Sequence, residues 1–281
     1  MTSDKLMICV RCHNYANFVI DTIDSIKHYA TTDPYIMIAV DNKDQYKIVN
    51  SILCKHQNIG VYISPVKCGW GSGLYKLLTD SLKYAKSKYT FDHFCVMDYD
   101  TIFIRKGADQ MLLDCIDTDT GLIGAVQSPH PSWKHAISKH WGTLSKYLKI
   151  PEDYSKGKGV LGALMVLTSR CIEEFIKRGY LEEPYRSVLK LKLPDDIWVS
   201  LLTYVACLDT VNLCSYTPER LKQHPDKKVA ITWKVPTPIK VAINNGAYIY
   251  HPVKMISGGR FLGKIDLKKE QEARRLFSDK R

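Results

Sequence analysis

Two aspartates one residue apart interrupt an apolar run, Phe94-Cys95-Val96-Met97-Asp98-Tyr99-Asp100-Thr101-Ile102-Phe103-Ile104. In an extended strand alternate side chains share a face, so Asp98 and Asp100 are expected to point one way and Tyr99 the other. An unpaired buried charge is costly, and a hard divalent cation with oxygen ligands is the usual remedy for two buried carboxylates. The alternative is a strand ending in a solvated polar turn. The flanks argue against it, because residues 94–97 read as a buried parallel strand and open α/β sheets place ligands at strand C-termini. A second acidic pair, Asp195-Asp196, follows Leu193-Pro194 and opens an apolar helix to about Cys207. Those acids either take part in chemistry or simply favour the helix dipole, by roughly 0.3–1 kcal/mol each. Asp41 closes another apolar strand, and His251 ends the last one, within Gly246 to Lys254.

The elements that must position these residues alternate regularly in the first half. Residues 5–10 and 35–40 read as buried strands, 60–63 as a short third, and the run at 94 as a fourth. Between them, helices are expected where Phe18, Ile23 and Ile26 recur, over 44–57, and from Gly69-Trp70-Gly71-Ser72-Gly73 through Leu74, Leu77, Leu78 and Leu82 to Ala85. Strand and helix in alternation predict an α/β fold with a mostly parallel, Rossmann-like central sheet and helices on both faces. The second half is less regular: a strand at 121–126, a loop-rich insert over 127–158, a buried segment at 159–167 and a helix over 169–178. We divide the chain into a half at 1–125, a second half of the same domain at 126–255 and a basic tail at 256–281. No G-x-G-x-x-G follows the first strand and no P-loop occurs, which disfavours a dinucleotide dehydrogenase or a P-loop enzyme.

With 281 residues, 45% hydrophobic and 25% charged, the chain can bury a sizeable core. No run approaches a membrane span and the N-terminus enters a strand directly, so a cytoplasmic protein is expected. Nine cysteines lie mostly among apolar neighbours, as reduced core thiols do; Cys9 and Cys12 form a C-x-x-C, but no second pair has zinc spacing. The net charge is +11, and from Arg220 onward fifteen Lys and Arg face five Asp and Glu. Such asymmetry suits an anionic partner, whether nucleotide phosphates, nucleic acid or an acidic membrane surface.

The order of these features, from the strand ending in Asp41 through Met97-Asp98-Tyr99-Asp100, Gly162-Ala163 and the acidic pair to the late His251, resembles GT-A fold glycosyltransferases of the family-2-like branch. The resemblance covers roughly residues 5–255, and it is the order of the motifs that carries it. It implies transfer of one sugar from a nucleotide sugar, expected to be a UDP-sugar, to an acceptor hydroxyl with inversion. The implied cofactor is Mn2+ or Mg2+ on Asp98, Asp100 and His251. Donor contacts fall on Arg11, Asp41, Lys76, Asp98 and Lys254, with Asp41 at the nucleoside and Lys254 near the diphosphate. Acceptor contacts fall on Gly162 and Ala163, and the insert adds Trp133 and Trp141. The family has Glu-Asp where this chain has Asp195-Asp196; Asp196 is the favoured catalytic base and Asp195 its alternative. The processive Q-x-x-R-W motif is absent.

The acceptor is open at this level. The basic tail suits a hydroxylated base in DNA, as in phage-type DNA modification, or a glycan on an anionic membrane surface; the lack of a membrane span, a clear amphipathic anchor or a secretory signal slightly favours DNA, for which Lys134, His135, Lys139 and His140 between the insert's two tryptophans are candidate contacts. A cell-surface glycan or a lipid-linked acceptor is the alternative. A sugar nucleotidyltransferase, or a nucleic-acid-binding protein without chemistry, are readings from other classes.

Overall fold

The structure is a computed structural model and describes residues 4–12, 16–41, 45–69, 72–127, 131–148, 158–182, 191, 193–215, 223, 226–231 and 239–251. Among the described residues β1 (Leu6–Cys12) is buried along its whole length. It is the third strand of a seven-stranded sheet of order β3-β2-β1-β4-β7-β6-β8, with β2 (Tyr35–Val40) and then β3 (Gly60–Ile63) on one side and β4 (His93–Asp98) on the other. The pairs β3·β2, β2·β1 and β1·β4 are all parallel, which is why these strands read as continuous apolar runs: both faces are covered. Helices α1 (Ala16–Tyr29), α2 (Tyr46–Lys55) and α3 (Ser72–Lys88) are the crossovers.

Side-chain alternation divides the core into two layers. Met7 and Cys9 belong to the layer that also holds Tyr75, Leu78 and Trp198, whereas Leu6, Ile8 and Val10 pack with Phe18, Ile23 and Ile52. Cys9 and Cys12 consequently lie in opposite layers and cannot share a metal. Burial pushes both thiols up to about 12, and all nine cysteines are free.

The expected continuous strand through both aspartates is not formed. β4 stops at Asp98, Thr101 N–H donates to Asp98 O at 3.0 Å, and the chain turns before β5 (Ile102–Phe103). β5 pairs antiparallel with β11 (Ile249–His251) in a separate small sheet of order β5-β11-β10-β9, with β9 (Cys214–Ser215) and β10 (Val229–Ile231). That pairing brings His251 back beside the turn. Ahead of it lie α4 (Ala108–Leu113) and β6 (Thr120–Gln127).

The expected loop-rich insert over 127–158 also differs. Residues 131–148 form one helix, α5 (Pro131–Leu148), whose Ile137, Trp141, Leu144 and Leu148 recur at helical spacing on the core. Pro131 starts the helix instead of breaking it, since the first helical N–H has no intrahelical partner to lose. β7 (Gly159–Leu167) runs antiparallel to both β4 and β6; α6 (Ser169–Lys177) and α7 (Asp195–Val205) follow. β8 (Asp209–Asn212) closes the sheet parallel to β6, and α8 (Ile239–Asn244) precedes β11. Strands from 1–125 and 126–255 thus share one sheet. No described helix is long and apolar enough to cross a membrane. Trp70, Gly71, Lys254 and the 256–281 tail lie outside the described residues, as do the side chains of Trp133, Lys134 and His135.

Candidate functional site

Arg11, next to last in β1, is an arginine on an otherwise apolar buried strand and only 5% exposed. A charge so placed requires acids around it. Its register partner on β4 is Asp98, and Nη2 donates to Asp98 Oδ1 at 2.6 Å and to the Gly162 carbonyl. Nη1 donates to Asp195 Oδ2 in the first turn of α7. Burial alone would lower the guanidinium's pKa, but Asp98 and Asp195 more than offset it and raise it. Gly162 makes room for this arrangement: a Cβ there would sit 3.2 Å from Arg11 Nη2 and 3.7 Å from Asp195 Oδ1.

The acidic pair at α7 divides into two environments. Asp195 is buried and committed to Arg11; burial pushes its carboxyl up against the pull of the guanidinium, and Asp98 adds to the rise. Asp196 is half-buried, and burial together with Asp195 pushes it up to about 7, while the N–H groups of Ile197 and Gly162 pull it back. Its Oδ1 accepts from Ile197 N at 2.8 Å. Neither acid is the N-cap; Pro194 occupies that position without a side-chain bond. Asp196 O accepts from Ser200 Oγ at 2.6 Å, and Ser200 Oγ accepts from Val160 N at 2.9 Å, which fixes α7 to β7.

Asp98, Asp100 and His251 offer ligand atoms that all lie within 4.8 Å of one another. A cation with ligands at roughly 2.1–2.6 Å spans about that distance from one ligand to the opposite one. Asp100 and His251 are both buried, with His251 Nε2 3.4 Å from Asp100 Oδ1. Four carboxylates (Asp98, Asp100, Asp195, Asp196) therefore collect around one guanidinium and one imidazole. Two further positive charges would nearly neutralise the group, so the donor set fits a divalent ion. Two carboxylates with one imidazole suit Mn2+ better than Mg2+, which favours oxygen alone.

The remaining sequence-derived residues are spread more widely. Asp41, at the end of β2, is buried, and its Oδ1 accepts from Cys68 N at 2.8 Å and Gly69 N at 3.0 Å, anchoring the loop that leads into α3. Lys76 on α3 pairs with Asp80 at 2.5 Å. Ala163 faces the core layer opposite Gly162, and its carbonyl accepts from Thr101 Oγ1 at 3.0 Å, bracing the turn that carries Asp100. Trp141 is half-buried against the core, and Lys254 and the Trp133 side chain lie outside the described residues. The bridge from Arg11 to both acidic motifs is what sequence reading missed. Its one signal was a lone arginine ending a buried strand.

No protein-family model matches the chain, and no curated protein matches it in sequence. Solved structures do. The chain is similar to mouse xyloside xylosyltransferase 1 in its apo form at TM-score 0.50 and 11% identity, over 88% of this chain and 97% of that one. It is similar to the bifunctional glycosyltransferase WbbM, also apo, at TM-score 0.49 and 12% identity, over 96% of this chain and 49% of that one. A third is the mannosyltransferase PcManGT from Pyrobaculum calidifontis, solved in complex with GDP-Man and Mn2+, at TM-score 0.46 and 12% identity, over 75% of this chain and 55% of that one. The chain thus spans about half the length of the last two. The fold is that of GT-A glycosyltransferases, as the xylosyltransferase likeness shows.

Proposed function

We propose that the chain is a metal-dependent glycosyltransferase that moves one sugar from a nucleotide sugar to an acceptor hydroxyl, with inversion. One observation carries the reading. On a GT-A fold, a single buried arginine joins the metal-capable trio, through Asp98, to Asp195, the neighbour of a half-buried Asp196 carboxyl raised to about 7.

Asp98, Asp100 and His251 would hold the ion. When bound, a divalent ion offsets the negative charge that develops on a leaving diphosphate. Asp41 stands where the second strand ends, at the edge suited to the nucleoside, with its loop already pinned. Asp196 is the base: it is the less buried member of its pair, and a carboxylate that protonates near 7 is well matched to taking a hydroxyl proton. Asp195 does not compete for that role because Arg11 holds it. Arg11, expected from the sequence to touch the donor, is buried and committed to Asp98 and Asp195, and in this reading it acts instead as a positioning residue that fixes the distance between metal edge and base. Lys76 and Lys254 are donor-side cations in this reading, and Gly162 borders the acceptor.

A UDP-sugar is the donor we assign first, and a hydroxylated base in DNA the acceptor to test first, on the strength of the basic tail. The glycan alternative gains ground from Trp141, whose packing on the core leaves less of its ring to stack on an extruded base. Incubation with labelled UDP- and GDP-sugars and manganese tests the class. Release of free sugar without acceptor is expected. Formation of UTP or GTP and sugar 1-phosphate only when pyrophosphate is added would assign a nucleotidyltransferase, and no turnover of any donor would remove the transferase reading.

A further inference from the structure

The sheet edge away from the carboxylates carries a cavity of about 770 Å3 that transfer chemistry does not use. It lies between the C-terminal end of α1, the first residues of β2 and β3, and Tyr89 just after α3. β2 leaves the cavity at Tyr35 and ends beside Asp41, so at about 3.3 Å per residue the two sites are about 20 Å apart.

The rim is firmly built. Asp109, fully buried, accepts from the N–H groups and hydroxyls of both Thr31 and Thr32 at 2.6 to 3.2 Å. The next residue, Asp33, is held in the left-handed region at φ 52, which aspartate tolerates better than most side chains. Lys5 Nζ donates to the Asp33 carbonyl, lies 3.7 Å from its carboxylate, and covers the Tyr35 ring at 5.1 Å. The floor is equally fixed. A Cβ at Gly60 would meet the Tyr89 hydroxyl at 2.9 Å, so the glycine is what lets that ring approach the strand.

The lining chemistry is specific. Tyr35, 36% exposed, and Tyr89 lie with ring centroids 5.2 Å apart, offering apolar faces that end in hydroxyls. Exposed Gln57 and Asn58 add amides, each with donor and acceptor side by side. Lys27 and Asp33 contribute one charge of each sign to the lining, with Lys5 against Asp33 at the rim, so no cluster of cations converges there to select a phosphate. The lining is about as polar as it is apolar, and a preformed cavity that pairs aromatic faces with convergent polar groups suits a ligand with both kinds of surface.

We propose that this cavity is a second saccharide site, taking an uncharged sugar whose C–H face packs on the tyrosines and whose hydroxyls pair with Gln57 and Asn58. Binding there requires neither the metal trio nor turnover. Saturation-transfer difference NMR on the full chain, with EDTA present and lactose, cellobiose and N,N′-diacetylchitobiose as probes, tests it. Transfer to ring C–H protons of at least one disaccharide is expected, and it persists in Asp100→Asn. In a Tyr35→Ala/Asn58→Ala variant the affinity falls about tenfold or more. Ala30→Phe gives the same loss by filling the space, and both variants keep the wild-type thermal transition. Silence from all three disaccharides at millimolar concentration, or binding retained in both cavity variants, overturns the assignment. Loss in Asp100→Asn alone places the sugar at the transfer site and overturns it as well.

Discussion

Arg11 and Asp98 are register partners on adjacent parallel strands, and Arg11 Nη2 donates to Asp98 Oδ1 at 2.6 Å. The other arm of the same guanidinium holds Asp195, so the metal-capable end of β4 and the first turn of α7 are one mechanical unit. The fork geometry matters more than the charge, since two acids on different elements are gripped at once.

Arg11→Met is therefore expected to destabilise the protein by roughly 3–5 kcal/mol, because it leaves buried carboxylates without their cation. Arg11→Lys keeps the charge but loses the fork, so it should recover part of the stability and little of the turnover. Urea unfolding beside donor kinetics checks this. Turnover fully restored by lysine would show that charge alone suffices.

Excess negative charge at the trio predicts opposite responses with and without metal. Asp100→Asn removes one of four carboxylates around Arg11 and His251, so in EDTA its melting temperature should equal or exceed wild type. Adding manganese should stabilise wild type, by about 2.7 kcal/mol at a hundred times Kd, and leave Asp100→Asn unmoved. Asp98→Asn should also lose the metal response and metal-dependent donor affinity, with some loss of stability because Arg11 gives up a charged partner. Equal manganese responses in wild type and both variants would refute the metal assignment.

The parallel half was readable because its strands are buried on both faces and contain little but apolar residues: LMICVRC, YIMIAV and HFCVMD stand out in any window. α5 was missed because Pro131, three lysines and two histidines resemble a loop, although Ile137, Trp141, Leu144 and Leu148 keep a helical face. β8, β9 and β10 are two to four residues long, too short for any period to register. In the site, Asp98, Asp100 and His251 were legible by residue type and position at strand ends. The Arg11–Asp195 bond was not, since it joins residues 184 positions apart and no local pattern encodes it.

Activity and stability should respond to pH in opposite directions through Asp196. As base it works deprotonated, so kcat/KM should climb as pH rises toward about 7 and level off above, and Asp196→Asn should flatten that limb along with most of the turnover. Its folded pKa lies above the unfolded value near 3.8, so folding favours the protonated form. That stabilisation is fully present below about 3.8 and is lost as pH rises through about 7, most clearly in metal-free protein. Melting temperatures of wild type and Asp196→Asn measured from pH 5 to 8 should converge at the acid end and separate above it. A pH–rate limb that survives in Asp196→Asn but disappears in Asp195→Asn would exchange the two roles.

Residues 256–281 carry eight Lys and Arg against four Asp and Glu, and the whole chain carries +11. If duplex DNA bearing hydroxymethylated bases is the acceptor, these cations displace counterions from phosphates, and log K should fall against log salt with a slope of about −0.9 per phosphate neutralised. Four to six contacts would give a slope of about −4 to −5. Truncation after His251 should flatten it and weaken plain and hydroxymethylated duplexes alike, because phosphate contacts carry no sequence information. Sugar transfer, by contrast, should occur only on the hydroxymethylated duplex, since the plain one lacks the attacking hydroxyl. A glycan acceptor would show neither the steep slope nor the dependence on the modified base, and absence of duplex binding at low salt together with transfer to a free or lipid-linked glycan would assign the acceptor to that class.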